Sequence, residues 1–273
     1  MPRTRSSAAP DGPAIEVRST PLEVGKLVAG TILDRMAADP GRPFLLGCPS
    51  GRTPTTTYAA LGPLAADRGI DLSPLVIVMV DEFLVEGPDG LVLCDPMSHY
   101  SCRRYVRDHV LAPVSAALPD GRGLRPDQVR LADPTDPGRF DDELAAAGSI
   151  DLYLLAMGAT DGHVAFNPPG TPADSPTRVI ELAESTRGDN LHTFPAFAGL
   201  DEVPRFGVSV GLGAVTSAAE TVLLAVGEEK GPALRRVLGS PDFDEGWPAT
   251  ILHRCRRPWI AADQTAITAA SSP

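Results

Sequence analysis

Three short polar segments of this chain carry side chains able to move a proton or hold an anion. Asp81-Glu82 directly follows the apolar run Leu75–Val80. A carboxylate at the end of a buried strand loses water, and desolvation raises its pKa toward that of a useful base. A helix-capping pair on a solvated loop is the plainer alternative. Asp161-Gly162-His163 sets a carboxylate two residues before an imidazole. After a turn at the glycine, the acid can orient the ring for proton transfer near neutral pH. A loop histidine bonded to backbone is the alternative there. Asp-x-His also suits a metal, but no third ligand stands at a helpful spacing, so none is expected. Ser50-Gly51-Arg52-Thr53 offers hydroxyls and backbone N–H groups ahead of a helix. Such a segment makes a phosphate cradle or an ordinary capped turn; it lacks the glycine-lysine pattern of a P-loop. Arg178 and Lys230 are candidate cations for the same anion, one a bidentate fork and the other a point charge.

These segments need elements to hold them. The runs Pro43–Cys48, Leu75–Val80, Ile150–Met157, Phe206–Val210 and Thr221–Val226 read as strands. Most are apolar on consecutive residues, as in a strand covered on both faces of a parallel sheet. Leu22–Ala38 has helical spacing and stops at Pro40-Gly41. Tyr58–Arg68, Tyr100–Val110, Phe140–Ala147 and Gly231–Leu238 are further helix candidates. The alternation predicts an α/β fold: a single open, mostly parallel sheet with helices on both faces, a Rossmann-type three-layer arrangement. Pro113–Pro137, with five prolines and two glycines, reads as a long surface connection with room for one short strand. Residues 15–264 are expected to form one domain, with residues 1–14 and 265–273 as flexible tails. Ligands of such sheets bind beyond the carboxyl ends of the strands. Three strands deliver polar loops to that rim, and this convergence is the main signal for a site.

Composition narrows the function. The 273 residues hold 35 acids against 24 bases, a net charge of −11, and no basic block offsets it, so a nucleic-acid partner is not expected. No apolar run approaches the roughly 20 residues that span a bilayer, and no apolar segment follows Arg3 and Arg5, so neither a membrane nor a secretory signal is expected. Cys48, Cys94, Cys102 and Cys255 are scattered without a CxxC pair, as suits reduced thiols in a cytoplasmic protein.

Seven segments, taken in order, resemble the glucosamine-6-phosphate deaminase/isomerase family, which shares its fold with 6-phosphogluconolactonases. They are LGCPSGRTPTTTYAAL, VMVDEF, DPMSHYS, MGATDGHVAFNPPG, SPTRVIEL, VSVGLGAVTSAAETVLLAVGEEK and PATILHRC, and the likeness runs from about Pro21 to Asp263. The resemblance implies an enzyme acting on an amino sugar 6-phosphate without a cofactor. Asp81 would carry a proton from C2 to C1 of the open-chain sugar through an enediol, and Glu82 and Asn167 would belong to the same pocket. His163, oriented by Asp161, would assist ring opening. Ser50, Gly51, Arg52, Thr53, Arg178 and Lys230 would hold the phosphate. The expected partner is a small-molecule sugar phosphate, with assembly into a homo-oligomer left open. Two departures imply a specialised member: Pro168 stands where the family carries a ring-opening glutamate, and Gly51-Arg52 replaces its Gly-Gly. Lactone hydrolysis is the second reading, although the Thr-Ala-Ser-Leu-Phe-Pro continuation usual in lactonases is missing. A non-catalytic sugar-phosphate binder is the third.

Overall fold

Consecutive apolar residues set the frame of the molecule. In the computed structural model, which describes residues 12–119 and 121–272, the strands are β1 (Ala14–Arg18), β2 (Phe44–Cys48), β3 (Leu75–Met79), β4 (Asp81–Gly87), β5 (Gly90–Leu93), β6 (Val129–Arg130), β7 (Leu152–Ala156), β8 (Arg178–Glu181), β9 (Phe206–Ser209), β10 (Glu220–Ala225) and β11 (Pro258–Asp263). The α-helices are α1 (Pro21–Ala38), α2 (Thr55–Arg68), α3 (Cys102–Val106), α4 (Ala112–Ala116), α5 (Gly138–Ala146), α6 (Glu184–Thr193), α7 (Leu212–Ser217), α8 (Gly231–Gly239) and α9 (Gln264–Ser271). A wider helical turn, Arg107–Leu111, joins α3 to α4.

Seven strands form the expected open parallel sheet in the order β1-β11-β10-β7-β2-β3-β6. Every residue of β2 and β10 is buried, which explains the apolar runs Phe44–Cys48 and Val222–Ala225; the buried Glu220 that opens β10 is paired with Arg35. Leu46, Leu154 and Leu224 at its centre are essentially inaccessible, and burying each stabilises the fold by ~2 kcal/mol. From β2 the chain builds outward through β3, whereas from β7 it builds the other way through β10. The β2–β7 boundary is therefore the switch point where a ligand crevice opens.

A second sheet, which the strand pattern did not announce, stands beside the first. It is antiparallel, in the order β5-β4-β9-β8. Only Val80 separates β3 from β4, so the chain passes from one sheet into the other at the Asp81-Glu82 dipeptide. Phe206–Val210 belongs here rather than to the parallel sheet. Its partners β4 and β8 mix charged with apolar residues, so neither forms an unbroken apolar run.

The chain ends also differ from expectation. Ala14–Arg18 is an edge strand paired with β11, and residues 1–11 of the expected N-terminal tail lie outside the described residues. The expected C-terminal tail is a correction: residues 264–271 form α9. Asp263 caps it by accepting from the Ala266 N–H at 2.8 Å, Ala266 and Ala270 are buried, and Arg235 of α8 donates to the Ala269 and Ala270 carbonyls. Its small residues are strong helix formers or cap-compatible, but too small to register as an apolar face. The Pro113–Pro137 connection contains the one short strand expected, β6, after α4.

Candidate active site

At the rim of the parallel sheet lies a cavity of about 370 Å³, lined by Ser50, Gly51, Arg52 and Thr53 after β2, Asp81 after β3, His163 after β7 and Lys230 after β10. Its size suits a small phosphorylated metabolite. The loop after β2 is fixed from behind: Tyr58 donates to the Pro49 carbonyl at 2.8 Å, and Tyr105 and Thr55 donate to the Gly51 carbonyl at 2.6 and 3.1 Å. Gly51 has φ +106°, a conformation that disfavours any side chain. Among the described residues, no protein acceptor meets the N–H groups of Gly51, Arg52 or Thr53. An unpaired run of donors at the start of a helix suits an anion.

Asp81 and Glu82 share a backbone but not an environment. Asp81 is 7% exposed and reaches the cavity. Its Oδ1 accepts from the Cys102 thiol at 3.3 Å, and that sulfur lies 3.1 Å from the Ser50 hydroxyl. Burial pushes the Asp81 carboxyl up to about 7; the thiol, His163 and Ser50 oppose the rise, and the Glu82 charge adds to it. Glu82 points the other way and is wholly buried. It accepts from the Phe83, Cys102 and Arg103 N–H groups and the Ser101 hydroxyl, each at 2.9 Å, and from Arg103 Nε at 3.2 Å. Glu82 therefore anchors the N-terminus of α3 and does not line the cavity. Through α3, it sets Cys102 against Asp81.

The loop after β7 turns at Gly162, where φ is +68° and an added Cβ would strike the Trp247 ring at 2.5 Å. The turn brings His163 Nδ1 within 2.7 Å of Asp161 Oδ1, while the His163 N–H donates to the same oxygen at 3.0 Å. Ser185 of α6 donates to the other Asp161 oxygen. Burial would push Asp161 up, but the His163 ring, Ser185 and the His163 N–H together hold it well below the usual carboxylate range. Asp161 is thus a fixed anion that orients an imidazole facing the cavity.

The remaining expected residues divide. Lys230 lines the cavity and donates to the Met157 carbonyl at 2.7 Å; burial pushes its ammonium down, while the charges of Asp189 and Glu229 push it up. Arg52 is largely exposed and 3.9 Å from Glu229. Arg178 does not line the cavity: its guanidinium donates to Asn167 Oδ1 at 2.9 Å and to the Pro176 carbonyl at 3.2 Å, and burial pushes its pKa down. Asn167 is wholly buried and donates to the Val164 and Val210 carbonyls, so it ties the loop to the second sheet instead of lining the cavity. Pro168 also lies off the cavity, and its carbonyl accepts from the Thr171 hydroxyl at 2.7 Å.

Residue types alone did not reveal α6. Asp189, Asn190 and Thr193 line the cavity, and Ser185 and Thr186 reach Asp161 and His163. Ser185, Asp189 and Thr193 recur at every fourth position, as do Thr186 and Asn190, so one face of the helix turns polar groups inward. That spacing was the available signal. Asp161, His163 and Asp189 bring three potential metal-binding atoms within 4.8 Å of one another, the only such trio among the described residues. Asp161 already accepts from three protein donors and the Lys230 ammonium shares the cavity, so the group suits a hydrogen-bonded cluster better than a divalent cation.

Fold and site together define a class. The family model for glucosamine-6-phosphate isomerases/6-phosphogluconolactonase matches residues 23–260, and the chain belongs to that family. A glucosamine-6-phosphate deaminase of Shouchella clausii (strain KSM-K16) is 33% identical over 247 residues, covering 89% of this chain and 92% of its own. The solved structure of a monomeric glucosamine-6-phosphate deaminase superposes with TM-score 0.79 at 25% identity, covering 94% of this chain and 99% of the other. The 6-phosphogluconolactonase of Trypanosoma brucei shares the fold with TM-score 0.65 at 20% identity, covering 94% and 98%. No helix among the described residues is long and apolar enough to cross a membrane, and the four cysteines are free and buried.

Proposed function

We propose that this chain is an amino sugar 6-phosphate isomerase/deaminase in which Asp81 shuttles a proton from C2 to C1. The observation that carries the reading is a buried, cavity-facing carboxylate raised to about 7, opposite an oriented imidazole and beside a row of free N–H donors. In this reading the phosphate sits on the Gly51–Thr53 amides with Arg52 and Lys230. His163 accepts the O1 proton and delivers a proton to the ring oxygen as the C1–O bond breaks, with Asp161 balancing the transient imidazolium. Asp81 then removes the C2 proton to give an enolamine, and the same carboxyl delivers a proton to C1, leaving an iminium at C2. Water adds to that carbon, and the carbinolamine expels ammonia to give a ketose phosphate. One carboxylate serves both carbons because they are neighbours, which makes the transfer effectively intramolecular.

Pro168 makes the chain a divergent member, since the loop supplies no carboxylate at that position. The relatives named as deaminases support the amino sugar over a lactone; the lactonase likeness supports the fold alone. The test is a panel of hexose and hexosamine 6-phosphates together with 6-phosphogluconolactone. Ketose phosphate with stoichiometric ammonia from a hexosamine 6-phosphate is the expected result. Rapid acid release from the lactone, with no ketose from any sugar, overturns it.

A further inference from the structure

We infer that Asp189 is a positioning residue for His163, a second carboxylate supplied to the ring-opening group by α6 rather than by the loop that carries the histidine. The inference rests on the function proposed above and identifies a residue outside the loops that suggested it.

The geometry is specific. A carboxylate oxygen of Asp189 lies within 4.8 Å of both an Asp161 oxygen and a His163 ring nitrogen. Asp189 is held from the same loop, with the Thr160 hydroxyl donating to its Oδ1 at 2.9 Å. It lines the cavity together with His163 and Lys230, and its charge acts on the Lys230 ammonium. Its helix is fastened to the cluster at two further points, Ser185 on Asp161 and Thr186 Oγ1 at 3.4 Å from His163 Nδ1. Pro168, in the loop that carries His163, has no ionisable group and lies off the cavity.

A histidine that opens a hemiacetal passes through an imidazolium in a mostly buried site, where a bare cation is costly. Asp161 occupies Nδ1 and leaves the opposite edge of the ring to the substrate. A second anion beside the ring lowers the cost of the cationic form and limits ring rotation without competing for Nδ1. The opposing view is that Asp189 only offsets Lys230. That role would change phosphate affinity, and therefore KM, rather than ring opening.

The two roles separate in one experiment. Wild-type enzyme, Asp189→Asn and Asp189→Glu are assayed on the hexosamine 6-phosphate that wild type turns over, and interconversion of its anomers is followed by exchange NMR in an Asp81→Asn background, where ring opening is isolated from proton removal. The expected result is kcat about tenfold lower for Asp189→Asn, KM within about threefold, and anomer exchange lower by the same factor, since the imidazole stays in place but its cationic form loses a neighbouring anion. Asp189→Glu recovers part of both. Unchanged kcat and anomer exchange, or a change confined to KM, overturns the inference while leaving the proposed function standing. A wild-type enzyme inert on every hexosamine 6-phosphate overturns both. Circular dichroism and thermal melts identify loss of fold, and the glutamate variant, which keeps the charge, still decides the matter if the asparagine variant unfolds.

Discussion

Asp81 at the β3–β4 junction and Asp161 in the loop after β7 are the same residue type at the rim of one cavity, yet their surroundings drive them in opposite directions. Asp81 is buried with a thiol for its side-chain donor and is pushed up to about 7. Asp161 receives the His163 ring, the His163 N–H and Ser185, and is held below the usual range. A carboxylate left short of donors can take a proton and give it back near neutral pH, while one saturated with donors stays an anion and orients its neighbour. The difference therefore assigns roles without reference to sequence position.

The sharpest way to break this contrast is to neutralise each acid in turn. Asp81→Asn is expected to lower kcat by ~10³-fold, the loss typical of a removed general base, and Asp161→Asn by ~10²-fold, since the imidazole remains. Stability should move in opposite directions. The native Asp81 carboxyl binds its proton more tightly than the unfolded one between pH 3.8 and about 7, so its contribution falls as pH rises through that window, and above it the buried charge is a burden. Asp81→Asn should then raise the melting temperature at pH 8 by roughly 4–8 °C for about 2 kcal/mol. Asp161, depressed in the native state, contributes above its unfolded pKa and loses that contribution on acidification. Asp161→Asn should lower the melting temperature at pH 8. Calorimetry of the two variants at one pH checks both signs; a shift of the same sign in both would remove the contrast.

Glu82 tests the structural side of the dipeptide. Converting its wholly buried carboxylate to an amide replaces one of its two acceptor oxygens with an NH2 donor, which then faces either the Phe83 and Cys102 N–H groups or the Ser101 and Arg103 donors. Glu82→Gln is expected to cost about 3 kcal/mol, roughly 6–12 °C in a thermal melt. The smallest effect concerns Cys102. Removing its thiol in Cys102→Ala takes away the strongest bond opposing the rise of Asp81, so the acid limb of kcat/KM, set near pH 7 by the need for a deprotonated base, should move to higher pH by less than about one unit. Cys102→Ser should restore the limb. An unmoved limb in the alanine variant would show that the thiol does not tune the base.

Much of this arrangement was legible in the chain. Residues buried on both faces of the parallel sheet wrote themselves as unbroken apolar runs, and the loops following β2, β3 and β7 could be placed on one rim from those runs alone. The second sheet was hidden because β4 and β8 mix charge with apolar residues and owe their pairing to contacts distant in sequence. Asp81 and Glu82 looked interchangeable; only α3, folding back at Ser101–Arg103, decides which carboxylate is consumed by backbone donors. Arg178 and Asn167 read as pocket residues, yet they bond to each other beneath the loop. The polar face of α6 was visible as a four-residue spacing, but a polar helical face ordinarily faces water, and tertiary packing alone turns this one inward.

Proton transfer by Asp81 is the central step of the proposed reaction. Its most direct measurement is isotope uptake in D₂O, with a hexosamine 6-phosphate as substrate and NMR of the recovered sugar and ketose as readout. Wild type should place deuterium at C1 of the ketose, and at C2 of recovered substrate, to the extent that the protonated Asp81 carboxyl exchanges with solvent before it gives its proton back, while Asp81→Asn places deuterium at neither carbon above background. Undiminished deuterium uptake by the folded Asp81→Asn variant would contradict the account.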